Sequence, residues 1–282
     1  MHPVLIDLGI FKIHTYGLMI AIGFMVGMQL AVREARRIDL DPRGGFDQFV
    51  LDLTFWILVS SIIGSRLLFI IVEWEDEYSR DPLKILQFWK GGFVFYGGLL
   101  GAVIFSVYYS MKKGRSFFLV ADTLIPFVSL GQFFGRIGCF AAGCCWGDAV
   151  PHDFPLGVQF PAGSMIHGSM KAAGLIDPDA AYTLHVHPVQ LYESLANLCL
   201  FGVLLLLRTQ KRFHGMVLAG YLFCYPLIRY GIEILRGDAN RGEDVLGTPF
   251  STSQLISIGL FSVGLAIVFT QRKKGAPIPA AA

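Results

Sequence analysis

The stretch GRIGCFAAGCCWG, residues 135–147, sets Arg136 beside three thiols, Cys139, Cys144 and Cys145. Clustered thiols hold a metal, form a disulfide or act as nucleophiles. A structural zinc site takes four ligands, usually on paired short-spaced arms. Cys139-x4-Cys144-Cys145 does not offer that pattern, and His152, His167, His185 and His187 follow only at irregular spacing. No metal is therefore expected. Outside the cytoplasm a disulfide is permitted, and the pairing expected is Cys139 with either Cys144 or Cys145. Arg136 precedes Cys139 by about one helical turn, near enough for its charge to favour a thiolate. Cys199 and Cys224 lie in apolar runs, where a thiol serves as a small hydrophobe.

A second group of charges sits in RYGIEILRGD. Arg229 and Glu233 are i and i+4, so they share a helix face and can pair, and Arg236 extends the basic stripe. Converging guanidinium groups suit a phosphate, which arginine grips in bidentate fashion. The competing reading is a structural ion pair, strongest for Glu233. Arg66 in GSRLLF can snorkel, pair with Asp122 or Glu193, or meet a substrate. Asp122 reads as a helix-to-helix contact. Glu193 in HPVQLYES is either a capping residue or a substrate contact. In WKGGFVFYGGLLGAV the glycines, Gly101 above all, favour close helix packing. Gly97 and Gly98 can instead bring backbone near a headgroup, with the Tyr96 phenol as donor. His14 and Tyr16 in HTYG stand at an interface, where Tyr16 is either an aromatic-belt residue or a substrate contact.

The elements that position these groups are membrane helices. Of 282 residues 54% are hydrophobic and 16% charged, and mean hydropathy is +0.57, against about 25% charged in soluble domains. A span needs about 20 mostly apolar residues, and seven fit: 15–32, 49–72, 91–111, 117–135, 188–207, 215–235 and 251–270. Asp122 and Pro126 interrupt the fourth. Lys and Arg mark cytoplasmic loops. Thirteen of the 23 basic residues fall in alternate connections: Arg33, Arg36, Arg37, Arg43; Lys112, Lys113, Arg115; Arg208, Lys211, Arg212; and Arg272, Lys273, Lys274. The opposite side carries the acidic run EWEDE at 73–77. The expected fold is an all-α polytopic membrane protein, N-terminus outside and C-terminus inside. One integral-membrane domain fills 1–282, with an extracytoplasmic head insertion at 136–187 and a flexible cytoplasmic tail at 271–282. The N-terminus lacks the basic n-region of a cleavable signal peptide.

Taken together, HTYGLMIAIGF, GSRL, FYGGLLG, DTLIPFVSLGQFFGRIGCF, HPVQLYES, RYGIEILRGD and STSQLIS, in this order over seven spans, resemble the prolipoprotein diacylglyceryl transferases of bacterial inner membranes. The resemblance covers most of the chain. It implies transfer of the diacylglyceryl group of phosphatidylglycerol to the lipobox cysteine of a prolipoprotein, giving a thioether and glycerol phosphate. The implied partners are phosphatidylglycerol, the prolipoprotein signal peptide and membrane lipids. No cofactor and no nucleic acid is implied. Arg136 is the arginine of the family's GRxGNF-like signature; with Arg229 it is expected to contact phosphate, with Tyr16 positioning the headgroup. Tyr96 is expected in the reacting constellation, and His14, Gly97, Gly98, Glu193, Glu233, Arg236 and Arg66 in substrate binding. This chain departs from the pattern where many members carry His in place of Tyr96, Asn in place of Cys139 and Glu in place of Cys144.

Three other classes are weighed against seven spans with internal charges. A transporter would place polar groups near the midplane of both halves, whereas these charges gather on the outer side. A non-catalytic lipid-binding protein would tolerate loss of Arg136 and Arg229. A retinal-type receptor would need a lysine in the last span, and the first lysine there is Lys273.

Overall fold

The computed structural model describes residues 4–7, 12–38, 44–79, 81–87, 91–237 and 251–273. Of the residues used to argue orientation, Arg43 and Lys274 lie outside the described residues, as does most of the expected tail.

A short antiparallel hairpin, β1 (Val4–Asp7) with β2 (Lys12–His14), precedes the helices. It was not anticipated, because four and three residues are too short for a periodic signal. The helices are α1 (Thr15–Ile38), α2 (Phe46–Val72), α3 (Phe95–Lys112), α4 (Phe117–Ala142), the short α5 (Met165–Ala172), α6 (Val189–Thr209), α7 (Met216–Ile234) and α8 (Thr252–Lys273). Six of them, α1, α2, α4, α6, α7 and α8, are long and apolar enough to cross a membrane. The chain is an all-α polytopic membrane protein. The expected third span corresponds to α3, which starts four residues late. Gly91 and Gly92, at φ 86° and 80°, hold backbone that a helix cannot continue.

α4 runs unbroken through Asp122 and Pro126, with Asp122 buried. A proline inside a membrane helix is tolerated when neighbouring groups take up the freed carbonyl. At its other end α4 continues to Ala142, seven residues beyond the expected limit. Arg136 and Cys139 therefore stand on the last two turns of a helix and not in a loop. Gly143, at φ 69°, ends it in the left-handed conformation. A Cβ there would fall 2.8 Å from the Ser164 Cβ, so glycine is required on two counts.

The chain divides into two compact units, residues 31–123 and residues 1–30 with 124–282. In the first, α2 and α3 pack through small residues. A Cβ on Gly97 would strike the Gly64 carbonyl, and one on Gly101 the Ser60 carbonyl. Without these side chains the two backbones approach closely, which is how helices associate in lipid.

The second unit holds α4, α6, α7, α8 and the segment between α4 and α6. That segment has its own core: Phe160, Ile166, Met170 and Val186, with Phe140, Trp146, Val158 and Ile176 against them. Paired backbone at Ala149–Val186, Val158–Val186 and Pro161–Tyr182 replaces regular sheet. Gly147 pairs with Arg236, and Gly237 donates to the Trp146 carbonyl at 3.2 Å, tying the head to the end of α7.

Candidate functional site

Three helices of the second unit turn polar faces toward one another. On α6, Gln190, Glu193, Ser194 and Asn197 fall at i, i+3, i+4 and i+7, and all four are buried. That spacing draws one stripe along a helix. On α4 the stripe is Ser129, Gln132 and Arg136; on α7 it is Tyr221, Tyr225, Arg229 and Glu233, each four residues from the last. The Ser129 hydroxyl donates to the Asn197 carbonyl at 2.8 Å, and the Ser194 hydroxyl to the Phe133 carbonyl at 3.1 Å. Gln132 Nε2 donates to the Tyr221 hydroxyl at 2.8 Å. The Tyr221 and Tyr225 rings stack with centroids 5.2 Å apart. Buried polar groups are ordinarily hydrogen-bonded in a native core; here the amide nitrogens of Gln132, Gln190 and Asn197 all donate, whereas their amide oxygens have no hydrogen-bond partner among the described residues.

Two ion pairs close the head-side end of the seam. Arg136 Nη2 lies 2.9 Å from Glu193 Oε1, with the arginine side chain 20% and the glutamate 3% exposed. Arg229 Nη2 lies 2.7 Å from Glu233 Oε2, at 14% and 4%. Each carboxylate fixes one edge of a planar guanidinium and leaves donors on its other edges. Arg229 Nη1 is buried with no hydrogen-bond partner among the described residues.

The start of α1 closes on the same place. Gly138 gives room for Tyr16, whose Cδ2 would lie 3.1 Å from a Cβ at that position. The Tyr16 hydroxyl feels the charge of Arg136 and the three thiols. His14 is exposed at the end of β2 and pairs in register with Val4. Arg236, bridged to Gly147, acts electrostatically on Cys145.

The cysteines form a second feature beside Arg136. All five cysteines are free, and Cys139, Cys144 and Cys145 have their Sγ atoms within 4.8 Å of one another. The Cys144 amide donates to the Cys139 carbonyl at 3.1 Å, and Gln190 Nε2 holds the Cys144 carbonyl at 2.8 Å. Cys145 has φ 56° and is the one non-glycine residue at positive φ among the described residues. Hydrogen bonds from the Cys139 and Cys144 thiols, then Arg136 and Arg236, hold the Cys145 thiol well below the ordinary range. Sharing in the same trio pushes Cys144 well above it.

The other sequence candidates belong to the first unit. Arg66 spends its guanidinium on backbone: Nη1 on the Gly91 and Gly92 carbonyls at 2.8 and 3.2 Å, Nη2 on Lys84 and Ile85 carbonyls at 3.2 and 3.3 Å. It also stacks near Phe69 and Tyr78. Tyr96 is exposed beside Phe95. Gly97 is buried against Gly64, and a Cβ on Gly98 would come 3.2 Å from the Ser61 carbonyl.

Gln132, Asn197, Tyr221 and Tyr225, being uncharged, were not among the residues expected from the sequence. The signal was present: uncharged polar residues at helical spacing inside otherwise apolar spans.

A family model described as prolipoprotein diacylglyceryl transferase matches residues 3–270. A phosphatidylglycerol–prolipoprotein diacylglyceryl transferase of Bacillus cereus is 35% identical over 272 residues, covering 96% of this chain and 93% of that protein. One of Clostridium tetani is 33% identical over 267 residues, covering 95% and 96%. One of Bacillus anthracis is 34% identical over 272 residues, covering 96% and 93%.

Proposed function

This chain belongs to the prolipoprotein diacylglyceryl transferase family, and from that premise we propose how its residues carry the transfer. It is a multi-pass enzyme of the bacterial cytoplasmic membrane that acts as a phosphatidylglycerol–prolipoprotein diacylglyceryl transferase. The acceptor is the lipobox cysteine of the precursor's signal peptide. α3 completes seven spans, with the N-terminus and the head outside and the C-terminus inside.

The reaction replaces one bond with another. The acceptor thiol loses its proton, and its sulfur attacks the terminal glyceryl carbon. The carbon–oxygen bond to phosphate breaks, and its electron pair stays on oxygen. A thioether and glycerol phosphate result, and the phosphate gains charge as the bond opens. Catalysis needs fixed donors aimed at that charge. Arg136 and Arg229 supply them from α4 and α7, with Glu193 and Glu233 holding each guanidinium in one orientation. Fixed donors do not reorganise as charge develops, so their effect is larger in the transition state than in the ground state. Tyr16 positions the headgroup beside Arg136, Arg236 extends the positive field toward the head, and His14 marks the outer rim. Arg66 and Gly97 hold α2, α3 and their connection in shape. Tyr96 and Gly98 lie on the first turn of α3, where the phenol faces lipid or substrate.

The observation that carries this reading is the pair of carboxylate-anchored arginines on facing polar stripes, one with a buried donor still unused. The test is transfer of label from phosphatidylglycerol to a lipobox peptide by the purified protein. Arg136→Ala and Arg229→Ala are each expected to lower turnover by roughly 10²–10³-fold, the scale of a lost transition-state donor. Near-normal turnover in either variant removes that residue from the phosphate site.

A further inference from the structure

We propose that Cys139, Cys144 and Cys145 form a three-thiolate site for a zinc ion, whose fourth position takes the lipobox thiol of the substrate. The proposal rests on the transfer reaction above and names the group that makes its nucleophile.

The spacing Cys-x4-Cys-Cys does not describe a closed four-ligand site, but the fold brings three sulfurs together from two elements. Cys139 is on the last full turn of α4, and Cys144 and Cys145 follow the Gly143 turn that ends it. The sulfurs lie within 4.8 Å of one another. With zinc–sulfur bonds of about 2.3 Å, tetrahedral sulfurs sit about 3.8 Å apart, within reach by side-chain rotation. No fourth His, Cys, Asp or Glu joins the group among the described residues. Three protein ligands and one exchangeable position is the arrangement of a catalytic zinc, whereas structural sites are closed by four.

The backbone is bent to make the cluster. Adjacent residues in extended or helical backbone point their side chains apart, so neighbouring cysteines do not ordinarily share a ligand. Cys145 adopts φ 56°, a left-handed conformation that is strained for a non-glycine residue and that collects at functional sites. The turn is held from both sides, by the Cys139 carbonyl on the Cys144 amide and by Gln190 on the Cys144 carbonyl. The charge also balances. Three thiolates and Zn²⁺ carry one net negative charge, and Arg136 and Arg236 both act on the Cys145 sulfur.

The step balances as follows. Three protein thiols bind Zn²⁺ and release three protons. The lipobox thiol binds as the fourth ligand and releases one more, because a coordinated thiol is deprotonated outright. The bound sulfur attacks the glyceryl carbon, the phosphate leaves with the electron pair, and the thioether, a poorer ligand, departs. Arg136 is three residues from Cys139 on α4, so the nucleophile and the leaving phosphate share one end of one helix.

The test uses the full chain in detergent with phosphatidylglycerol and a non-thiol reductant. Metal is stripped with a chelator and Co²⁺ is titrated as a spectroscopic probe. The expected result is a thiolate-to-cobalt charge-transfer band with tetrahedral visible bands, saturating at one ion per chain and lost in Cys139→Ser, Cys144→Ser and Cys145→Ser. A lipobox peptide should change the spectrum and its Cys→Ser analogue should not. Zinc should slow alkylation of the three thiols in the unaltered protein, a readout independent of whether variants fold. Stripping should lower transfer roughly a hundredfold, the scale of a lost acid–base contribution, and one equivalent of Zn²⁺ should restore it. No charge-transfer band and no protection from alkylation overturn the site. Binding with transfer unchanged by stripping overturns its role in thiol activation and leaves the arginine assignments standing. A spectrum that responds to peptide in a protein that never transfers would instead overturn the transferase reading.

Discussion

At Arg136 and Glu193 the question is what a nearly buried carboxylate does for an arginine. Removing one partner of a buried pair strands the other charge, at a cost of about 3–5 kcal/mol. The Arg136 side chain is one-fifth exposed, so solvent screens part of that cost and the lower end applies. Glu193→Gln keeps the shape and removes the charge; chemical denaturation in detergent should show a loss of about 3 kcal/mol, again on that scale. Arg136→Lys asks a different question. Lysine keeps the charge but is a point donor without the planar fork, so transfer should fall at least tenfold while the denaturation midpoint moves little. Equal losses of stability and turnover would reduce Arg136 to a structural role. Arg229 and Glu233 were legible in the sequence because charge inside a span is costly and demands a reason, and Arg136 from the motif it shares with the three cysteines. The partner of Arg136 was not. Glu193 is 57 positions away, and nothing in either local sequence says which helix faces which.

Among the elements, six of the seven expected spans fall on helices long and apolar enough to cross a membrane, since a long apolar run in a chain this hydrophobic has one use. The failure at the end of α4 is informative. GRIGCFAAG reads as loop because Gly135, Gly138 and Gly143 each weaken a helix in water. Within packed helices small residues are instead what close approach requires, and Gly138 is where Tyr16 crosses. Gly138→Leu should therefore displace Tyr16 and lower transfer more than it lowers stability, measured by turnover and denaturation on the same preparation. Gly97→Leu makes the contrast. It forces α2 and α3 apart at Gly64, so destabilisation of about 1–3 kcal/mol, the usual range for overpacking, is expected. A Gly97→Leu protein with unchanged stability would place that glycine at a surface and reopen it as a headgroup contact. The polar stripes on α4, α6 and α7 were readable as spacing, but only the packed helices show that they meet.

For the whole molecule, access of the acceptor thiol depends on which side of the membrane the segment between α4 and α6 occupies. The substrate precursor is a secreted protein, and its acceptor cysteine must reach Arg136 from the side where the head closes over α4 and α7. The clusters at Arg33–Arg37, Lys112–Arg115 and Arg208–Arg212 lie at the opposite ends of the helices that carry the arginine site or lead to it, and positive loops stay cytoplasmic. Both facts support the orientation proposed above, and single-cysteine labelling tests it. In a variant with its native cysteines replaced by serine, Asp179→Cys on the exposed head should react with a membrane-impermeant maleimide in intact spheroplasts. Ser116→Cys, in the turn before α4, should react only after the membrane is opened. The proposed crossing by α3 is what makes these answers differ from a six-span alternative, because an even number of crossings would return both chain ends to one side. A cysteine placed at Thr252 and one at Gln271 test the last crossing in the same way, the first from outside and the second from inside. Labelling of both Asp179→Cys and Ser116→Cys from the same side would remove α4 as a crossing and, with it, the arrangement that delivers a secreted thiol to Arg136.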